Sequence, residues 1–169
     1  LRGPLHPYTQ GLLGSVPRED FLPSCNAYAR RGSVTEGFVT AVHLWLDLTS
    51  GEYMIFSAGH PPAVHYDAAG GRWRLTRARG IVLGVVPDLR GVASETERGV
   101  LQRGDALMLY TDGLVEAPGR DIDAGTDRLL GEAERMLAPG FQAGAGPMVT
   151  NLQHGGGSDD CALVLIWRT

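Results

Sequence analysis

The chain has 169 residues, of which 43% are hydrophobic and 20% are charged, and its formal net charge is −4. This length and composition suit one globular domain with a buried core, and the negative charge excludes the basic footprint of a nucleic-acid-binding protein. No apolar stretch has the length needed to cross a bilayer. Cys25 and Cys161 are widely spaced, which favours a reduced, cytoplasmic setting; a longer protein with membrane segments upstream is compatible with this expectation.

The N-terminal third is predicted to contain two helices followed by a long strand. Residues 8–13 form a short helical candidate, and residues 21–31 form a helix entered through the segment 17–20. From Phe38 the apolar pattern changes to period two, which indicates a half-buried strand. One face of this strand carries Val42, Leu44, Leu46 and Leu48, and the other carries His43, Trp45 and Asp47.

The rest of the chain is predicted to form short strands joined by turns, with helices after them. Strands or short apolar segments are expected at residues 53–58, 63–66, 73–76, 81–86, 91–100 and 104–111. A loop at 117–125, a helix at 126–137, a flexible segment at 139–147 and a short helix at 148–153 precede a last strand at 161–167. Hairpin-linked strands flanked by helices predict an antiparallel α+β layered fold.

Two groups of acidic residues stand where apolar strands meet turns that contain glycine. Asp112 ends the run 104–111 and is followed by Gly113, whereas Asp159 and Asp160 precede the last strand. Acids held in this way commonly present oxygen ligands to Mg²⁺ or Mn²⁺. Each site taken alone is more simply explained as a turn. If the two strands end at one edge of a sheet, Asp112 and Asp159 face a shared cleft.

The histidines give a weaker signal than the acids. His43 and His65 occupy polar positions of predicted strands, which indicates surface residues. His60 lies in the turn 58–62, and loops built on rigid strands often carry function; a turn residue that caps its own backbone is an equally good explanation. The chain contains no P-loop, no dinucleotide-binding glycine fingerprint and no nucleophile elbow.

Five motifs in a fixed order resemble a known family. They are Phe38-Val39-Thr40-Ala41, Ala58-Gly59-His60-Pro61-Pro62, Leu83-Gly84-Val85, the run from Gly104-Asp105 to Tyr110-Thr111-Asp112-Gly113-Leu114-Val115-Glu116-Ala117, and Asp159-Asp160. This set resembles the bacterial protein phosphatase 2C-like (PPM-type) serine/threonine phosphatases, and within them the branch of the stage II sporulation protein E and sigma-B regulator phosphatases. The resemblance covers residues 25–169 and leaves 1–24 as an atypical N-terminal segment.

The resemblance implies an α-β-β-α sandwich, in which two antiparallel sheets pack face to face between helices. It also implies a site for two Mn²⁺ or Mg²⁺ ions, with Asp112 and Asp159 as metal ligands and Gly113, His60 and Asp160 in supporting positions. A metal-activated water would then hydrolyse phosphoserine or phosphothreonine. No separate catalytic residue is assigned.

The sequence departs from the family at one point. The family's bridging aspartate belongs to a Gly-Asp-Val-x-Gly-His-Gly type of motif upstream of the first helix, and this motif is not in the sequence. The acids among residues 1–37, which are Glu19, Asp20 and Glu36, have a different context. The expectation is therefore a sandwich without its N-terminal strands, holding two ions, one ion or none.

Two functions follow from the resemblance. The first is a metal-dependent protein serine/threonine phosphatase that acts on a phosphorylated regulatory protein of the anti-sigma antagonist type, with an upstream sensor domain possible. The alternative is a catalytically inactive, phosphatase-like binding module that lacks the bridging aspartate. A calcium-stabilised loop around Asp159 and Asp160 ranks last, because the spaced acids of an EF-hand are not in the sequence.

Overall fold

The computed structural model of the chain describes residues 18–31, 38–116, 121–153 and 161–169. The helix predicted at residues 8–13, the glycine run 155–157 and both acids Asp159 and Asp160 lie outside the described residues.

The described residues form two antiparallel sheets and three α-helices. In chain order the elements are α1 (Phe21–Arg31), β1 (Ala41–Leu46), β2 (Glu52–Ala58), β3 (Val64–Asp67), β4 (Arg72–Leu75), β5 (Glu97–Val100), β6 (Ala106–Tyr110), α2 (Ile122–Met136), α3 (Phe141–Gln153) and β7 (Leu163–Trp167). Short 3₁₀ turns precede α1 at Arg18–Asp20 and follow β6 at Asp112–Leu114. The first sheet has the order β1-β2-β5 and the second the order β4-β3-β6-β7.

The two sheets pack face to face. Tyr53 and Ile55 of β2 share a buried cluster with Leu107 of β6, and the half-buried Leu44 and Ile166 pack against it. The opposite face of β6 is also covered, since Met108 and Tyr110 lie in a second cluster with α2 and α3. A strand buried on both faces is a continuous apolar run, which explains the sequence Ala-Leu-Met-Leu-Tyr.

Helix α1 covers the outer face of the first sheet and so completes the four layers of the α-β-β-α sandwich. Its Phe21 ring stacks on His43 of β1 with 4.0 Å between ring centroids. Asn26 is buried in α1, accepts a hydrogen bond from the Gly84 amide at 2.8 Å and donates one to the Val86 carbonyl at 3.1 Å. The predicted antiparallel α+β fold is thereby confirmed, and the helix predicted at residues 21–31 has the predicted bounds.

Two strand predictions are wrong in extent. Strand β1 ends at Leu46, and Leu48 is 87% exposed because the Asp47 carboxylate accepts the Thr49 and Ser50 amides and closes a turn. The short apolar segment at residues 81–86 makes a single bridge, between Leu83 and Val39. The strand predicted at 91–100 is confined to Glu97–Val100, since a turn precedes it in which Gly91 has a φ of +80°.

Two helix predictions also need correction. Helix α2 begins at Ile122, four residues before the predicted start, because the Asp121 carboxylate caps it by accepting the Asp123 amide at 3.2 Å. The segment predicted as flexible at 139–147 is mostly helix α3, which contains Pro147 in its interior. Burial of Met148 and Leu152 outweighs the cost of an interior proline, which is about 3 kcal/mol.

The surface position predicted for His65 is wrong. Its side chain faces the space between the sheets, where it contacts the Tyr53 ring, and the residue is 7% exposed. His43 is half-buried under Phe21 of α1. Both errors have one cause: a polar position in a strand indicates solvent only when one face of the sheet is uncovered, and here both faces are covered.

Candidate functional site

Asp112 lies immediately beyond strand β6, at the start of the 3₁₀ turn Asp112–Leu114. Its main-chain carbonyl accepts the amides of Val115 and Glu116, each at 2.8 Å. The Leu114 amide donates to the Thr111 carbonyl at 3.0 Å. The backbone around Asp112 is therefore fixed by three hydrogen bonds within one short segment.

The Asp112 carboxylate forms few hydrogen bonds with the described part of the protein. Its Oδ1 accepts the neighbouring Gly113 amide at 3.0 Å, which is its one hydrogen bond to the part of the chain that the structure describes. An ionised carboxylate offers about four lone-pair positions. The side chain is half-buried, so most of this acceptor capacity remains for water, a cation or a donor from elsewhere.

Glycine is required where helix α2 passes the Asp112 turn. A Cβ atom on Gly125 would lie 1.8 Å from the Val115 carbonyl oxygen, which is far inside any permitted contact. The start of α2 therefore packs directly on the backbone that follows Asp112. This contact supports the turn and limits its movement.

The last strand brings the C-terminal segment to the Asp112 turn. Strands β6 and β7 are paired with Tyr110 opposite Leu163. The ladder continues past the strand ends, since the Thr111 amide donates to the Ala162 carbonyl at 3.0 Å and the Ala162 amide donates to Thr111 Oγ1 at 2.8 Å. Cys161 then donates its thiol to the Gly113 carbonyl at 3.3 Å. The described residue closest in sequence to Asp159 thus lies against the turn that holds Asp112.

The His60 ring binds two other elements and not its own turn. Its Nε2 lies 2.6 Å from the Tyr110 carbonyl oxygen of β6, and its Nδ1 lies 3.3 Å from Thr40 Oγ1. Its backbone carbonyl accepts the Ser57 hydroxyl at 3.1 Å. His60 therefore connects the end of β2, in the first sheet, to the last residue of β6, in the second.

A cavity of about 560 Å³ opens beside these residues. Thr40, His60 and Asp112 contribute its polar wall, and Leu44 and Leu109 belong to its apolar wall. The cavity lies between β1 of the first sheet and the β6–β7 pair of the second. Its mixture of apolar walls and few polar groups is typical of ligand sites.

Tyr110 is also among the residues that line this cavity. Burial raises the pKa of the Tyr110 hydroxyl to about 12, so this group is protonated at neutral pH. It donates a hydrogen bond to the Pro62 carbonyl at 2.9 Å. The roles of Tyr110, Thr40 and Thr111 were missed from the sequence, although all three lie within the quoted motifs and their hydroxyl groups were the available signal.

The structure brings Asp112 and His60 to one cavity and places Gly113 in the adjoining turn. Among the described residues, no group of three or more His, Cys, Asp and Glu side chains could hold a metal ion. Because Asp159 and Asp160 lie outside those residues, the convergence of Asp112 with Asp159 stays a prediction. No helix in the described ranges is long and apolar enough to cross a membrane.

A family model described as Stage II sporulation protein E (SpoIIE) matches residues 10–169. The chain belongs to the SpoIIE family. This membership confirms the resemblance inferred from the five motifs, and the chain is a protein phosphatase 2C-type domain by family and fold.

Solved structures share this fold. The RsbU and RsbW domains of a Mycobacterium tuberculosis protein align with a TM-score of 0.71 and 24% identity, over 94% of this chain and 44% of that chain. The phosphatase domain of SpoIIE from Bacillus subtilis, presoaked with Mn, gives 0.60 and 17%, over 95% and 70%. The PPM Ser-Thr phosphatase MsPP from Mycobacterium smegmatis, in complex with cacodylate, gives 0.62 and 16%, over 96% and 78%. The chain thus spans less than half the length of the first of these structures.

Proposed function

We propose that residues 25–169 are part of a metal-dependent protein serine/threonine phosphatase, in which Asp112 and Asp159 bind Mn²⁺ or Mg²⁺. The observation that carries this proposal is the Asp112 carboxylate, which stands on a rigid turn beside a cavity with most of its acceptor capacity uncommitted. A carboxylate that served only to close its turn would have its oxygens occupied by backbone amides.

The donor chemistry fits such an ion. The Cys161 thiol donates to a carbonyl, and both nitrogens of His60 are within hydrogen-bond distance of other groups. The group at this site that remains available as a metal ligand is therefore the Asp112 carboxylate. Hard oxygen ligands suit Mg²⁺ and Mn²⁺. Asp159 is two residues from Cys161, and two residues of extended chain reach about 7 Å, so a common ion for Asp112 and Asp159 is compatible with chain connectivity.

When bound, an ion of this kind activates a water molecule and stabilises negative charge on phosphoryl oxygens. The chain's own contribution is to hold the carboxylates in place. Asp112 would do so through the three backbone bonds of its turn, while Gly113 leaves room for a phosphate to approach beside it. Asp160 is proposed to support its neighbour Asp159.

The proposed substrate is a phosphorylated regulatory protein of the anti-sigma antagonist type. One of the similar structures supports phosphoserine and phosphothreonine as the target, since it is named a PPM Ser-Thr phosphatase. The RsbU and RsbW domains found together in another structure support a regulatory protein as the partner.

Phosphate release from a phosphoserine peptide, measured with and without Mn²⁺, tests this proposal. We expect release only with Mn²⁺ and its loss in Asp112→Asn, which keeps the shape of the side chain and removes its charge. Asp88→Asn is the matched control, because Asp88 is an exposed turn carboxylate that accepts the Arg90 amide and does not line the cavity. Release that is independent of Mn²⁺, or equal in the two variants, would contradict the assignment.

The alternative is a phosphatase-like module that binds a partner without catalysis. It keeps the same fold but predicts neither phosphate release nor tight Mn²⁺ binding. Calorimetry with Mn²⁺ on residues 1–169 tests this alternative: two carboxylates alone would hold the ion only weakly, so tight binding would count against an inactive module.

A further inference from the structure

The main-chain carbonyl of Tyr110 faces a position where the sheet cannot supply a donor. The Thr111 amide points to β7, so the main-chain groups of Tyr110 point to the other side of the strand, toward β3. The described β3–β6 pairing ends at Val64 and Met108, two residues before Tyr110, so the ladder does not reach the Tyr110 carbonyl. Pro62, in the segment before β3, has no N–H to donate.

The His60 ring supplies a donor to this carbonyl beyond the end of the ladder. Its Nε2 is 2.6 Å from the Tyr110 carbonyl oxygen, and a carbonyl only accepts, so Nε2 carries the proton. In the neutral ring Nδ1 is then an acceptor, and the Thr40 hydroxyl at 3.3 Å is its donor. The ring is thereby fixed in one tautomer by partners on both of its nitrogens.

The backbone that carries His60 is itself closely constrained. Gly59 has a φ of +65°, and a Cβ atom there would lie 2.0 Å from Val82 Cγ1. Its amide donates to the Gly80 carbonyl at 2.8 Å. Because the backbone of His60 is held on the first sheet, its ring forms a rigid link to the second sheet.

We propose that His60 is a positioning residue for Asp112. Tyr110 is the last residue of β6, and the turn that presents the Asp112 carboxylate begins two residues later. A His60 donor that holds the Tyr110 carbonyl fixes the direction in which β6 leaves the sheet, and thus the position of Asp112. The structural part of this inference stands on its own, whereas its consequence for a metal ion rests on the proposed function.

The structural part is tested on the metal-free chain. In ¹⁵N NMR we expect His60 in the Nε2–H form at neutral pH. In His60→Leu, which keeps the bulk but not the donor, amide exchange of Val115 and Glu116 should accelerate about tenfold, because their acceptor is the Asp112 carbonyl. His43→Leu is the matched control, since His43 is also half-buried but packs under α1. An Nδ1–H tautomer, or equal exchange in both variants, would overturn the inference.

The functional part is tested by Mn²⁺ calorimetry on the same proteins. Loss of a residue that orients a ligand typically costs 10–100-fold in metal affinity, so we expect about that loss in His60→Leu and none in His43→Leu. His60→Gln should recover most of the affinity, because its amide nitrogen can donate to the same carbonyl. Equal affinity in His60→Leu and the unchanged chain would overturn the positioning role. If the unchanged chain binds no Mn²⁺, the proposed function fails, and the exchange experiment still decides the role of His60.

Discussion

Strand β6 has an aspartate at each end, and the two behave in opposite ways. Asp105 precedes the strand, follows Gly104 and is 4% exposed. Its Oδ1 accepts the Ala68 amide and its Oδ2 accepts the Gln102 amide, each at 2.9 Å, while His65 Nε2 lies 3.5 Å from Oδ2. Asp112, at the other end, has one bond from its neighbour Gly113 and borders a cavity.

The difference shows how a structural carboxylate can be distinguished from a candidate ligand. Asp105 replaces backbone acceptors where two turns meet, and removing it would leave two buried amides without a partner. Asp112 stabilises little of the described structure. Both residues sit next to glycine at the end of an apolar strand, so their local sequences do not separate them.

The largest expected effect is the loss of activity in Asp112→Asn. A metal ion supplies several kcal/mol of transition-state stabilisation, and about 4 kcal/mol corresponds to roughly a thousandfold in rate. We therefore expect Mn²⁺-dependent phosphate release to fall about that far while the thermal unfolding midpoint changes little. A large drop in the midpoint would mean that Asp112, like Asp105, is structural.

The opposite pattern is expected for Asp105→Asn. An amide has one acceptor oxygen where the buried carboxylate used two, and its NH₂ group would face an amide donor. Each lost hydrogen bond to a charged group costs about 1.5–3 kcal/mol, so the free energy of unfolding should fall by about 3 kcal/mol. Urea denaturation measures this change. Activity per folded molecule should stay unchanged, and its loss would remove the distinction between the two ends of β6.

The buried groups around Asp105 should also make the stability of the fold depend on pH. Burial lowers the pKa of His65, Arg74 lowers it further, and Asp105 raises it by a smaller amount. Because the folded-state pKa lies below the unfolded value of about 6.5, the unfolded chain takes up the proton first. The contribution of His65 to the free energy of unfolding is then fully present above about pH 6.5 and decreases as the pH falls below that value.

Urea denaturation between pH 7.5 and 5 checks this prediction. His43 also has a pKa lowered by burial, so His65→Gln should remove part of the pH dependence and leave the rest to His43. A stability profile that is identical in His65→Gln and the unchanged chain would show that the Asp105 end is not sensitive to pH.

Much of the fold was predictable because local patterns decide it. The helix at residues 21–31 and the return strand at 53–58 needed only periodicity and turn residues. The first half of helix α3 was missed because Pro147 and the surrounding glycines indicate flexibility, whereas the helix is stabilised by packing of Met148 and Leu152. The burial of His65 was missed for a related reason, since it depends on a second sheet that no local pattern reveals.

The candidate site was predictable in its residues but not in its connections. Asp112 and His60 were identified from motifs, and Asp105 belonged to one of the same motifs without being distinguished from Asp112. The bond from His60 to Tyr110 joins residues 50 positions apart. It binds a carbonyl beyond the end of the β3–β6 ladder, and that end becomes visible only when the register of the two strands is known.

The smallest expected effect comes from Tyr110→Phe. This variant tests whether any contact between the segment at Pro62 and β6 is enough to set the direction of the Asp112 turn. The variant loses the hydroxyl bond to the Pro62 carbonyl but keeps the main-chain carbonyl that His60 binds. One neutral hydrogen bond contributes about 1 kcal/mol, so urea denaturation should show a loss of that size. Mn²⁺ affinity should stay within about twofold of the unchanged chain, because the donor to the Tyr110 carbonyl remains. A fall in Mn²⁺ affinity as large as in His60→Leu would mean that packing between the two segments, and not the imidazole donor, sets the direction of the Asp112 turn.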